Sequence, residues 1–252
     1  MFKLIKYELR ANFLKIIGIC VIVIIANLFL MTKKGSWELA VPALSSILLF
    51  VAVTVIFTSS LNIMSKYLYE DSGYLLFTLP QSGVSILSSR LITALIQISI
   101  VAGVSSLMFY LNVTEEISSL FFKNIKPGLV IYNIFNYICL VIYGLTIIYF
   151  CMVIGKVALK GKKLGKLGSF IIFVILVIAL GWVSVKITTL LPQNFDLSTF
   201  KINSNEVIIN SDFTISAGKY EFNIAQSILD IITFAGLFMS TSYLIDKKLD
   251  LS

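Results

Sequence analysis

Two charged side chains stand inside otherwise apolar stretches, Lys186 and Asp230. A charge in hydrocarbon usually faces the interior of a helix bundle and pairs with an opposite charge. Lys186 falls near the end of one apolar run and Asp230 near the start of the next, so their depths match, and they read either as a Lys186–Asp230 pair or as two side chains that each snorkel to the outer interface. Beyond these two, chemistry is sparse. Histidine is absent. That removes Ser–His triads, histidine-ligated zinc, haem with a histidine ligand, and the H-E-x-x-H metalloproteases. Cys20, Cys139 and Cys151 are odd in number, show no C-x-x-C spacing and sit in apolar runs. They read as small buried hydrophobes and imply neither a disulfide framework nor a metal site. No G-x-S-x-G motif or intramembrane acid pair points to an enzyme. A phosphate-binding G-x-x-x-x-G-K-[ST] loop is also missing, because Gly155-Lys156 and Gly161-Lys162-Lys163 have neither its spacing nor its Ser/Thr.

Six apolar stretches must position whatever these residues do. They are 16–31, 41–63, 91–111, 129–154, 170–190 and 224–245. About 20 helical residues, each rising about 1.5 Å, cross a hydrocarbon core of about 30 Å. Hydrophobic residues make up 58% of the chain and charged ones 13%, against about 25% charged in a typical soluble domain. One or two wholly apolar helices can hide in a soluble core, but six cannot. Backbone groups in lipid must be satisfied within the segment, so the runs are read as helices. A transmembrane β-barrel would instead alternate polarity in segments of about ten residues. The fold class is thus an all-α membrane protein, a single transmembrane domain over 1–252. Polar points within the runs, Asn27, Asn62, Gln97, Asn133, Asn136 and Gln226, are expected to make helix–helix hydrogen bonds. Gly18, Gly103, Gly144 and Gly236 are expected at close helix contacts.

Residues 1–15 carry Phe2, Leu4, Ile5, Leu9 and Phe13 on one broad helical face and Lys3, Lys6, Glu8, Arg10 and Asn12 around the rest. This reads as an amphipathic helix lying in the membrane interface, in contact with lipid, ahead of the first span. No A-x-A cleavage site follows 16–31, so no cleavable signal peptide is expected. With the N-terminus inside, segments 1–15, 64–90, 155–168 and 246–252 hold 13 of the 20 Lys and Arg residues. The excess of cations on cytoplasmic loops then places both termini in the cytoplasm of a plasma membrane. The run Lys156, Lys160, Lys162, Lys163 and Lys166 is read as a topology anchor near anionic lipid, so the net charge of +7 is no argument for nucleic acid. The outer segment 192–223 alternates polarity at 206–209 and 214–216, as a small hairpin does. Asn112-Val113-Thr114 is a glycosylation sequon by pattern alone.

The cytoplasmic segment 64–90 is unlike a passive connector. Asp71 leads into Gly73, then Tyr74, Leu75, Leu76, Phe77 and Leu79 run up to Pro80. Proline ends any helix there, and Ser82 is placed to cap the helix that continues into the third span. An apolar cluster at a membrane surface lies in lipid or docks on a protein.

The stretch Asp71-Ser-Gly-Tyr-Leu-Leu-Phe-Thr-Leu-Pro80-Gln-Ser82 resembles the loop between the second and third spans of type-two ABC exporter permeases of Gram-positive bacteria. The whole chain resembles that family in its order: an N-terminal amphipathic helix, six spans, a longer loop before the last span and a basic C-terminal end. The familiar pattern has a basic residue just after the Pro-x-Ser stretch, whereas here the next cation is Arg90. The resemblance implies that the loop forms a coupling helix, with Asp71, Gly73, Tyr74, Leu75, Leu76, Phe77, Leu79 and Pro80 docking on a separate ATPase subunit. It implies a second permease chain, identical or different, as partner. ATP would bind the ATPase subunits, and this chain would bind no cofactor. The cargo in such systems is amphiphilic: a peptide, an antibiotic or a lipid. The competing reading is an integral-membrane receptor or assembly protein without transport.

Overall fold

In the computed structural model, residues 2–35, 37, 40–69, 82–113, 127–158, 165–196, 201–203 and 221–247 are described. Six helices dominate them: α1 (Phe2–Met31), α2 (Ala40–Tyr69), α3 (Gly83–Asn112), α4 (Pro127–Ala158), α5 (Gly165–Leu190) and α6 (Ile224–Lys247). Three short strands stand between α5 and α6: β1 (Asn194–Asp196), β2 (Lys201–Asn203) and β3 (Glu221–Asn223). All six helices are long and apolar enough to cross a bilayer. The protein is a multi-pass membrane protein.

Each helix contains one of the six apolar runs and outruns it. Helix α3 starts eight residues before the run at 91, because Ser82 caps it: its hydroxyl accepts from the Ser85 amide at 3.4 Å, with Ser82 itself extended. That cap is the one expected from sequence. Helix α1 is 30 residues long and unbroken. Residues 2–15 are therefore its first half and not a separate interfacial helix. No glycine, proline or capping group interrupts 15–16, so the backbone ladder simply continues through Lys15 and Ile16.

The chain divides into two compact units. The first holds α1, α2, α3 and α4 as far as Leu145. In it α3 packs against both α1 and α2, and α1 and α2 also touch. Its interior includes Ile5, Ile16 and Val23 of α1, Ile56 and Met64 of α2, and Leu87, Ile98 and Val101 of α3. The buried stripe of α3 is nevertheless rich in polar groups: Ser89, Arg90, Thr93, Gln97, Ser105 and Asn112. Its exposed side shows Ile92, Ile100, Leu107 and Tyr110. Water as solvent favours the opposite arrangement, whereas lipid accepts an apolar exterior and leaves polar side chains to find one another inside.

The second unit holds the rest of α4, then α5, the strands and α6. Helices α5 and α6 pack together. The strands form an antiparallel sheet in the order β2-β1-β3, with Phe195 opposite Ile202 on one side and Phe222 on the other. None of these strands includes the alternating stretches from which a hairpin is expected. The alternating stretches 206–209 and 214–216 lie outside the described residues. Asn223 joins sheet and helix. Its side-chain oxygen accepts from the Gln226 amide at 2.9 Å, capping α6, while its amide donates to the Leu191 carbonyl at 2.9 Å.

Candidate functional site

The apolar cluster of the α2–α3 connection falls outside the described residues: Asp71, Gly73, Tyr74, Leu75, Leu76, Phe77, Leu79 and Pro80 all lie in 70–81. Its two roots are described. Helix α2 ends at Tyr69 and α3 begins behind Ser82. Arg90, two turns into α3, reaches across to α1, where Nη1 meets Glu8 Oε1 at 2.7 Å. The Arg90 guanidinium also lies over the Tyr67 ring of α2, 5.3 Å from its centroid. Side-chain exposure is 7% for Arg90 and 12% for Glu8, so both charges are largely removed from solvent. One cation thus ties together α1, the last turn of α2 and the second turn or so of α3. Glu8 is the only carboxylate among the described residues of this unit. A buried charge without a partner is costly, and pairing is what makes this one tolerable. The sequence reading assigned Glu8 to the polar side of an interfacial helix and Arg90 to the loop, and so missed their meeting. The signal that could have found it is the lone acid in the first 31 residues and the lone cation of α3.

A second polar cluster ties the same three helices elsewhere along their length. The Asn27 side-chain oxygen accepts from the Ser45 hydroxyl at 2.7 Å and from the Asn112 amide at 2.8 Å. All three side chains are at most 1% exposed. Lys34 donates to the Leu111 and Val113 carbonyls at 3.1 and 3.2 Å, covering the C-terminal end of α3. Asn27 lies 19 residues beyond Glu8, about 28 Å along a straight helix at about 1.5 Å per residue. Asn112 is buried in this cluster and its amide nitrogen is engaged, which argues against the sequon reading.

In the second unit the Ser184 hydroxyl donates to the Gln226 side-chain oxygen at 2.6 Å, and the Gln226 amide donates to Asp230 Oδ1 at 2.8 Å. Asp230 is thus held by its own helix. Lys186 makes no ion pair with it: Nζ lies over the Trp182 ring, 5.8 Å from the centroid, on an exposed face. The reason is angular. Ser184 turns towards α6, and two residues on, at about 100° per residue, Lys186 points away. The Lys186–Asp230 pair read from the sequence is not formed.

The remaining polar points divide. Asn27 and Gln226 make the expected bonds between helices. Gln97 is fully buried, and neither atom of its amide meets a hydrogen-bond partner among the described residues. Asn62, Asn133 and Asn136 are exposed. The glycines also differ from expectation. At Gly18, Gly103, Gly144 and Gly236 a methyl group would meet nothing within 4 Å, so none of them marks a close helix contact. Cys20 is half-buried, Cys139 exposed and Cys151 buried, all as free thiols.

No family model, curated protein or solved structure matches this chain. Among the described residues no group of three or more Cys, Asp or Glu side chains gathers as a metal site would require. The arrangement that stands out is mechanical: three helices cross-linked at two levels, with the Arg90 link at the roots of the 70–81 segment.

Proposed function

We propose that this chain is the permease subunit of an ATP-driven ABC exporter, forming a translocation path with a second permease chain and driven by separate ATPase subunits. The observation that carries the reading is the sequence between α2 and α3, with Asp71 and Gly73 ahead of Tyr74, Leu75, Leu76, Phe77, Leu79 and Pro80. In sequence, Tyr74 to Leu79 are a largely apolar run with Pro80 at its end, and such residues serve as anchors in protein interfaces. Six membrane-crossing helices are compatible with such a path. The chain has no phosphate-binding loop of its own, so its energy source would be another polypeptide.

The mechanism follows from where the segment is attached. ATP-driven closure of the ATPase pair would push on 70–81. Its roots are Tyr69 and Ser82, and the Arg90 contacts to Tyr67 and Glu8 would pass a displacement to α1 as well as to α2 and α3. A packed, cross-linked three-helix group moves as a body more readily than it deforms, which suits rocking between inward-facing and outward-facing arrangements. Cargo is proposed to be amphiphilic: peptide, antibiotic or lipid.

The test is purification of the tagged chain from its native membrane in mild detergent, with identification of the proteins retained. The reading requires a stoichiometric partner bearing a G-x-x-x-x-G-K-[ST] motif, and ATP hydrolysis by the complex. A chain that purifies without such a partner supports an assembly or receptor role instead.

A further inference from the structure

The first half of α1 presents a stripe that the transport reading does not use. Lys3, Lys6, Tyr7, Arg10, Phe13 and Leu14 are all exposed. At about 100° per residue they share an arc of about 120° on one side of the helix. The opposite side carries Ile5, Glu8, Asn12 and Ile16, which are buried or half-buried. Along the axis the exposed stripe changes in order. Three cations come first, interleaved with Tyr7, then an aromatic and an aliphatic side chain, and Leu14 leads into the apolar run of the span. Water, headgroup and hydrocarbon select the same order across about 16 Å, the rise from Lys3 to Leu14 at about 1.5 Å per residue.

Two further observations concern charge. Glu8, the only acid among the described residues of this unit, is withdrawn from the surface by Arg90. Among the described residues the exposed stripe is thus cationic without a compensating carboxylate. At the same end of the unit Lys66 is exposed, one residue before the Tyr67 that Arg90 covers.

We propose that the stripe Lys3, Lys6 and Arg10, with Tyr7 beside them, binds the headgroups of anionic phospholipid at the membrane surface. The unbroken helix is the argument for lipid over a protein: it runs directly from these cations into a membrane-crossing segment, so they stand at the headgroup level by construction. Cations near an anionic leaflet each contribute about fivefold in affinity, and three on one stripe act together. The Arg90–Glu8 pair serves this surface by keeping the carboxylate away from the phosphates. The inference is independent of the transport reading.

The full chain, purified in neutral detergent, can be titrated with phosphatidylglycerol or phosphatidylcholine and the bound lipid counted by native mass spectrometry. The wild type is expected to prefer phosphatidylglycerol by at least tenfold. The triple variant Lys3→Gln, Lys6→Gln, Arg10→Gln is expected to lose most of that preference. The charge-conserving triple Lys3→Arg, Lys6→Arg, Arg10→Lys should keep it, as should Lys33→Gln, an exposed cation beyond the far end of α1. All the changed positions are exposed, and an unshifted melting temperature confirms that each variant is folded. Equal binding of the two lipids by the wild type overturns the proposal. So does a preference undiminished in the glutamine triple, which would leave these cations to a protein partner.

Discussion

Arg90 is where a single side chain does most to organise the structure. It neutralises Glu8 and covers Tyr67, and both charges are mostly hidden from solvent. Arg90→Gln strands the Glu8 carboxylate and is expected to cost about 3 kcal/mol, read as a fall in melting temperature in detergent. Adding Glu8→Gln should return much of the loss, since the double variant leaves no buried charge. Additive losses would mean that the two side chains do not depend on each other. Gln97 makes the converse case. A buried amide with no partner among the described residues carries its desolvation cost without return, so Gln97→Met should raise stability by about 1 kcal/mol. A loss of stability would show that a water or a bound polar group satisfies that amide. Neither pair nor orphan is legible in the sequence. Glu8 and Arg90, and likewise Asn27 and Asn112, come from helices separated by a third, and only packing decides which polar residues meet.

Among the elements, apolar run length located every helix. The runs at 41–63, 91–111 and 170–190 each lie within one helix, and Ser82 caps α3 as its residue type predicts. Helix ends were less legible, because polar residues such as Ser88 and Lys66 continue a helix as readily as they leave it. The facing of α5 on α6 was beyond reach for a related reason. Lys186 and Asp230 are matched in depth, but depth carries no angular information, and the helices meet through Ser184 and Gln226. Lys186→Gln is therefore expected to change stability by less than about 0.5 kcal/mol. Gln226→Leu, which deprives both Ser184 and Asp230 of a partner, should cost about 1–2 kcal/mol. Melting temperatures of the two variants separate these expectations, and equal effects would place Lys186 in the same network.

The whole molecule is read as a six-span permease with both termini in the cytoplasm, an orientation that rests on the distribution of Lys and Arg. In a background lacking Cys20, Cys139 and Cys151, a cysteine at Gly161 should react with an impermeant maleimide only after permeabilisation. One at Asn205 should react in intact cells, and the reverse pattern inverts the topology. The central claim is that the segment between α2 and α3 engages a separate ATPase, and here sequence carries the whole weight, since docking surfaces declare themselves by apolar side chains with no core to fill. Interface anchors dominate binding, so a charge at Phe77 should cost about 2 kcal/mol or more in docking. The measurement is the amount of ATPase retained on the purified chain with and without Phe77→Asp. The account predicts that the variant inserts and folds as the wild type does but retains less than about a tenth of the ATPase. Full retention by a folded Phe77→Asp chain would contradict it.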